Sequence, residues 1–195
     1  METQWTVPNI VTLARIGMAG AGAWLSLRPE SEATAVAILI AAAVLDAFDG
    51  WFARAFAQSS GLGKHLDPFA DKILVAVILV WIARDAASPA VWALVGLSLA
   101  REAAMTFLRM HSVRARGRLI PASALGRWKM FLQCSGGLLI LGLTHLVGWT
   151  VPVGMVIAAL SVMLLVSVAA MVGYLKAKGP AADHEQTHFA LRSPG

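Results

Sequence analysis

The chain is short of the residues that hold soluble and secreted proteins together. It has one cysteine, Cys134, among 195 residues, so an internal disulfide and a cysteine metal cluster are both excluded. That cysteine lies in an apolar run and reads as a packed thiol. Charge is also scarce. Only 14% of residues are Asp, Glu, Lys or Arg, against 58% hydrophobic, where a soluble domain carries roughly 25% charged residues. The mean hydropathy is +0.70. A single soluble core cannot bury that much apolar sequence, so the bilayer is the expected solvent. The start, Met1-Glu2-Thr3-Gln4-Trp5, has no basic stretch leading into a short apolar region and a small-residue cleavage site. The first apolar segment is therefore expected to stay in the mature protein.

Histidine clusters are missing too. His65, His111, His145, His184 and His188 are scattered. The last two are four residues apart, but in a polar tail beyond Gly179-Pro180. The net charge of +5 raises the question of nucleic acid. Its placement answers it: the basic residues fall between apolar segments, as anionic head groups and membrane topology demand.

What remains is apolar and helical. A spanning helix needs about 20 mostly apolar residues. Six such segments are expected, at 9–27, 33–56, 68–83, 89–110, 124–147 and 151–175, after a short interfacial start. Continuous apolar runs without alternation exclude a barrel. Breakers mark the joints: Arg28-Pro29-Glu30, Ser59-Ser60-Gly61-Leu62-Gly63, Ser88-Pro89, and Gly148 with Pro152. This predicts one all-α integral membrane domain over residues 1–178, followed by a polar, disordered tail at 179–195. Trp5, Trp24, Trp81, Trp92, Trp128 and Trp149 lie near expected helix ends and read as interfacial anchors. Arg54, Lys64, Arg114, Arg116, Arg118, Arg127, Lys176 and Lys178 share one side, which the positive-inside rule makes cytoplasmic.

Four acids break the apolar pattern. Asp46 and Asp49 close the second segment, three residues apart; Asp67 and Asp71 open the third, four apart. Each pair lies on one helix face. With a short loop between, the two helices are expected to be antiparallel neighbours and their pairs to converge. A carboxylate at bilayer depth costs on the order of 2.5–3.5 kcal/mol, and four together repel. Divalent cations cancel that repulsion, and oxygen-only ligands favour Mg²⁺ or Mn²⁺. Gly50 and Ala53 allow close approach, and Arg54 adds a partner for a diphosphate. Carboxylates, metals, an arginine and glycines together describe two-metal diphosphate chemistry.

The stretch from Asp46 to Asp71 resembles the signature D-x2-D-G-x2-A-R-x8-G-x3-D-x3-D of the CDP-alcohol phosphotransferases, and all eight fixed positions match. The resemblance implies a six-helix membrane fold, a homodimer and a cytoplasmic active site in a bacterial cell membrane. It implies that Asp46, Asp49, Asp67 and Asp71 hold two metal ions and that Asp71 is also the base for the acceptor hydroxyl. It implies that Gly50, Ala53, Arg54 and Gly63 line the pocket of a CDP-lipid, CDP-diacylglycerol.

Beyond the signature, Asn9, Thr12 and Arg15 are similar to the N-x2-T-x2-R start of the bacterial phosphatidylglycerophosphate synthases and join the CDP-lipid set. Arg101-Glu102 with Arg109, and Gly126-Arg127-Trp128-Lys129-Met130 with Gln133, resemble their fourth and fifth helices. Arg127 and Met130 depart from the lysine and threonine expected there. This resemblance implies glycerol 3-phosphate as acceptor, its phosphate held by Arg101, Arg109, Arg118 and Lys129. A cardiolipin synthase, a CDP-alcohol phosphotransferase with another acceptor such as inositol phosphate, and a cation transporter are the competing readings. Transporter sites lie at the midplane between repeats, whereas these acids sit at one end and no repeat is visible.

Overall fold

The computed structural model describes residues 7–56, 63–116 and 124–177. Among them the chain is all-helical. The elements are α1 (Val7–Leu25), a 3-10 turn (Pro29–Ser31), α2 (Glu32–Phe56), α3 (Gly63–Ala86), α4 (Pro89–Arg116), α5 (Ala124–His145) and α6 (Val153–Ala177). The first residues, where an interfacial segment was expected, and the polar tail lie outside the described residues.

Six helices form where six apolar segments were read, with differences at the ends. Helix α3 begins at Gly63 rather than at Pro68. Proline removes one backbone donor, which falls here within the first two turns. Helix α4 runs on to Arg116, since no proline or glycine interrupts the stretch after Met110 and Arg114, Ala115 and Arg116 favour helix. Among the described residues, two segments are long and apolar enough by length and composition to cross a membrane, Pro89–Leu108 and Val153–Leu175, while Ile10–Leu25 is apolar but shorter. Asp46, Asp71, Lys72, Lys129 and Gln133 give α2, α3 and α5 a polar interior stretch, which sets them apart from α6.

The joints are built from backbone chemistry. After α5, Gly148 takes a positive φ of 77°, a conformation open to glycine, and the Trp149 amide donates back to the Leu143 carbonyl at 2.9 Å. Between α3 and α4, Ala87 takes a φ of 46°, which an L-alanine adopts only with strain.

Packing explains how the site is assembled. Helix α1 lies against both α2 and α3, which themselves touch only slightly. Helices α2 and α3 are in contact among the described residues, and Asp46 and Asp71 meet across them. Helix α3 also packs on α4 and α5, and α6 on α4 and α5. Leu39, Ile78, Leu79, Leu141 and Leu160 are fully buried in the centre. Small residues let the helices close up. A Cβ on Gly137 would lie 2.4 Å from Cγ2 of Ile78, and one on Gly136 would lie 2.4 Å from Cε of Met163. Large apolar side chains face outward, with Phe107 72% and Leu165 69% exposed. So extensive an apolar exterior marks a surface meant for something other than water.

Trp24, Trp92, Trp128 and Trp149 are among those exposed side chains, as interfacial anchors would be. Trp81 is not. It is 2% exposed and its ring lies 4.9 Å from that of His145. It is a core residue, because α5 covers the face of α3 that carries it.

Candidate active site

Three of the sequence-selected residues meet at one place. Arg15, on α1, is 5% exposed. Its Nη1 pairs with Oδ1 of Asp46 on α2 and donates to Oδ1 of Asp71 on α3 at 3.0 Å. One guanidinium nitrogen, with two N–H bonds to give, serves both carboxylates. The carboxylates keep part of their surface, 47% for Asp46 and 31% for Asp71. They are thus held close together, yet reachable from outside. Thr12, one turn before Arg15, is buried on the same helix.

A second polar cluster lies where α4, α5 and α6 meet. Oε1 of Glu102 accepts from Nη1 of Arg101 at 2.8 Å and from Nζ of Lys129. Oγ of Ser167, from α6, donates to the same oxygen at 3.3 Å. The side chains of Arg101 and Lys129 are each 7% exposed, and that of Glu102 is 14%. One turn from Lys129, Gln133 is 1% exposed, and neither polar atom of its amide has a partner. A buried amide left unpaired is costly, and such groups call for an explanation such as a ligand or water. Between the clusters, Nζ of Lys72 donates to Oγ1 of Thr106, tying α3 to α4.

Helix geometry puts both clusters at one depth. Asp46 lies 14 residues from the start of α2, Asp71 lies 15 from the end of α3, and Glu102 lies 13 from the start of α4. Lys129 lies 16 from the end of α5, and Ser167 lies 14 from the start of α6. At about 1.5 Å per residue these are roughly 20–24 Å. The reference ends share one side of the bundle. There Nδ1 of His145 lies 3.1 Å from Glu32 and its Nε2 lies 2.7 Å from Asp85, and Arg84 adds contacts to Glu32 at 3.5 Å and Asp85 at 3.1 Å. The polar groups of α2 to α6 therefore form a single layer.

The remaining selected side chains, those of Asn9, Asp49, Gly50, Ala53, Arg54, Gly63, Asp67 and Arg109, lie outside the described part of the structure, and Arg118 lies outside the described residues altogether. Glu102 and Gln133 figured in the sequence only as part of the resemblance in the fourth and fifth helices, with no role assigned, and Ser167 was not singled out. Glu102 had one usable signal, an acid beside an arginine midway along an apolar helix.

The family model for CDP-alcohol phosphatidyltransferases matches residues 5–175. The chain belongs to this family. Its members are in general dependent on divalent metal ions, and the donor set suits such ions, with two partly open carboxylates drawn together by one guanidinium. Among curated relatives, a CDP-diacylglycerol–glycerol-3-phosphate 3-phosphatidyltransferase of Cereibacter sphaeroides is 37% identical over 151 residues, 74% of this chain and 68% of its own. One of the same name from Bacillus subtilis is 32% identical over 143 residues, 66% of this chain and 72% of its own. A cardiolipin synthase (CMP-forming) of Streptomyces coelicolor is 32% identical over 158 residues, 74% of this chain and 73% of its own. The chain is an enzyme of the phosphatidyltransferase class.

Proposed function

We propose that the chain transfers the phosphatidyl group of CDP-diacylglycerol to glycerol 3-phosphate and releases CMP. One observation carries the choice of acceptor: Arg101 and Lys129 are buried together at the depth of the carboxylates. Two buried cations beside a diphosphate site suit an acceptor with a phosphate of its own, since ionic hydrogen bonds are about twice as strong as neutral ones. The names of the Cereibacter and Bacillus relatives support the same reading.

In this reading Asp46, Asp49, Asp67 and Asp71 hold two divalent ions, Mg²⁺ or Mn²⁺. Bound there, the ions supply positive charge against the diphosphate. The protein's own residues do the rest. Arg101 and Lys129, with Arg109 and Arg118, hold the acceptor phosphate, and that orientation contributes several kcal/mol to lowering the barrier. Asp71 takes the proton of the free hydroxyl as its oxygen attacks the β-phosphorus in line. The bond from that phosphorus to the bridging oxygen breaks, and CMP leaves with the electron pair. Asn9, Thr12, Arg15, Gly50, Ala53, Arg54 and Gly63 bind the CDP-lipid. The six helices span a bacterial cell membrane as a homodimer, with the layer of polar groups toward the cytoplasm, where the basic loops lie.

The test is CMP release by purified protein given CDP-diacylglycerol with one acceptor at a time. Product with glycerol 3-phosphate is the expected result. The Streptomyces relative gives the rival reading its standing: product with phosphatidylglycerol and none with glycerol 3-phosphate would make the chain a cardiolipin synthase.

A further inference from the structure

Arg101 and Lys129 carry like charges in a buried setting, on different helices, and left alone they would repel. Glu102 stands between them. A single oxygen, Oε1, accepts from Nη1 of Arg101 at 2.8 Å and from Nζ of Lys129. Ser167 steadies that oxygen from a third helix at 3.3 Å. All three charged side chains are at most 14% exposed, so little water screens the repulsion that Glu102 offsets. The result is one rigid unit spanning α4, α5 and α6, with a net charge of one positive.

We propose that Glu102 is a positioning residue that locks Arg101 and Lys129 into one geometry for an acceptor phosphate. This rests on the acceptor reading given above. Simple charge counting predicts the opposite effect for this residue. A carboxylate beside two cations weakens their pull on an anion, so removing its charge should tighten phosphate binding. Positioning predicts that removing it loosens binding, because the two donors separate and no longer converge. A displacement of about 1 Å in a supporting residue can cost on the order of a hundredfold, and a site is only as well defined as the groups behind it.

Glu102→Gln keeps the shape and one acceptor oxygen but loses the charge. Glu102→Asp keeps the charge but withdraws it by one methylene. Both are to be purified beside the wild type and checked for intact folding by thermal melting. CMP release is then measured against glycerol 3-phosphate and CDP-diacylglycerol separately. The expected result is a KM for glycerol 3-phosphate raised at least about tenfold in Glu102→Gln, with the KM for CDP-diacylglycerol unmoved. Glu102→Asp should fall between that variant and the wild type. A lowered or unchanged KM for glycerol 3-phosphate in Glu102→Gln overturns the positioning role. So does an equal rise in both KM values, which marks a merely structural residue. Should Glu102→Gln fail to fold, Glu102→Asp decides alone on the same two KM values. Wild-type protein that turns over phosphatidylglycerol but not glycerol 3-phosphate overturns the acceptor reading itself, a failure distinct from the first.

Discussion

Replacing Arg15 isolates what joins α1, α2 and α3 at the site. In the folded chain its guanidinium, 5% exposed, serves Asp46 and Asp71 together. Hydrogen bonds to charged groups contribute about 1.5–3 kcal/mol each. Both carboxylates are partly open to solvent, so the lower figure applies, and two bonds amount to about 3 kcal/mol. If the loss falls wholly on the arrangement required at the transition state, Arg15→Met lowers kcat/KM by about 150-fold. Lysine keeps the charge and has donors enough, but its shorter stem does not carry the ammonium to the place of Nη1, which serves both carboxylates, so part of the bridge is lost. Arg15→Lys should therefore lose about half as much free energy, or about tenfold in rate. The assay is CMP release from CDP-diacylglycerol at saturating Mg²⁺, with thermal melting to confirm that each variant is folded. The graded order of arginine, lysine and methionine is the result expected. A folded Arg15→Met within about threefold of the wild type would refute the reasoning, since the bridge would then do nothing for turnover.

Asp46→Asn and Asp71→Asn should each abolish CMP release while leaving the protein folded, and excess EDTA should silence the wild type; substantial turnover under any of these conditions removes the divalent-ion reading. Gly137→Leu drives a side chain into Ile78, whose Cγ2 lies 2.4 Å from the Cβ position, and should destabilise by about 1–3 kcal/mol, seen as a lower Tm in detergent. Gly96→Ala, with nothing within 4 Å, should be neutral or stabilising by up to about 1 kcal/mol in the same measurement. Ala87→Gly relieves the strained φ of 46° and should raise the Tm, by about 1 kcal/mol in stability; a fall in Tm would show that Ala87 carries contacts worth more than its strain.

The sequence makes the helices legible because their information is local. Apolar runs of about 20 residues and the breakers at Pro29, Pro89 and Gly148 fix where α1, α2, α4, α5 and α6 begin or end to within a few residues. The signature acids are legible for the same reason, since their spacing is written along one stretch of chain. What joins elements far apart in sequence is not written locally. Arg15 meets Asp46 and Asp71 across 31 and 56 residues, and spacing rules say nothing at that range. The short loop between α2 and α3 makes them legible as neighbours, whereas the packing of α1 on both has no counterpart in that loop. Trp81 looked interfacial by position; only the packing of α5, 60 residues beyond Asp85 at His145, reveals it as core. Glu102 lay beside a selected arginine, yet its hold on Lys129, 27 residues on, is a property of the fold.

The two polar layers of the bundle divide the work between them. At one end Glu32, Asp85 and Arg84 gather around His145 and satisfy one another. Between the layers, Leu39, Ile78, Leu79 and Leu141 fill the interior with no polar atom in their side chains. Roughly 20–24 Å along the helices, short of their far ends, lie Arg15 with its two carboxylates and Glu102 with its two cations. That spacing is shorter than the roughly 30 Å hydrocarbon core of a bilayer. On the proposed membrane placement, with the closed end at one interface, the working layer falls inside the other. A lipid donor with a diphosphate head group needs that depth. In the proposed reading its acyl chains stay in the bilayer and its diphosphate reaches Asp46 and Asp71. A phosphorylated acceptor comes from the aqueous side and needs cations at the same level to bring its hydroxyl against that diphosphate. The layer holds both sets of charges, one on α1 to α3 and one on α4 to α6, and Lys72 paired with Thr106 fastens the two halves together. Transfer between a membrane-bound donor and a water-soluble acceptor requires that the two halves keep one depth, and the shared reach of the helices from a common, closed end is what sets it.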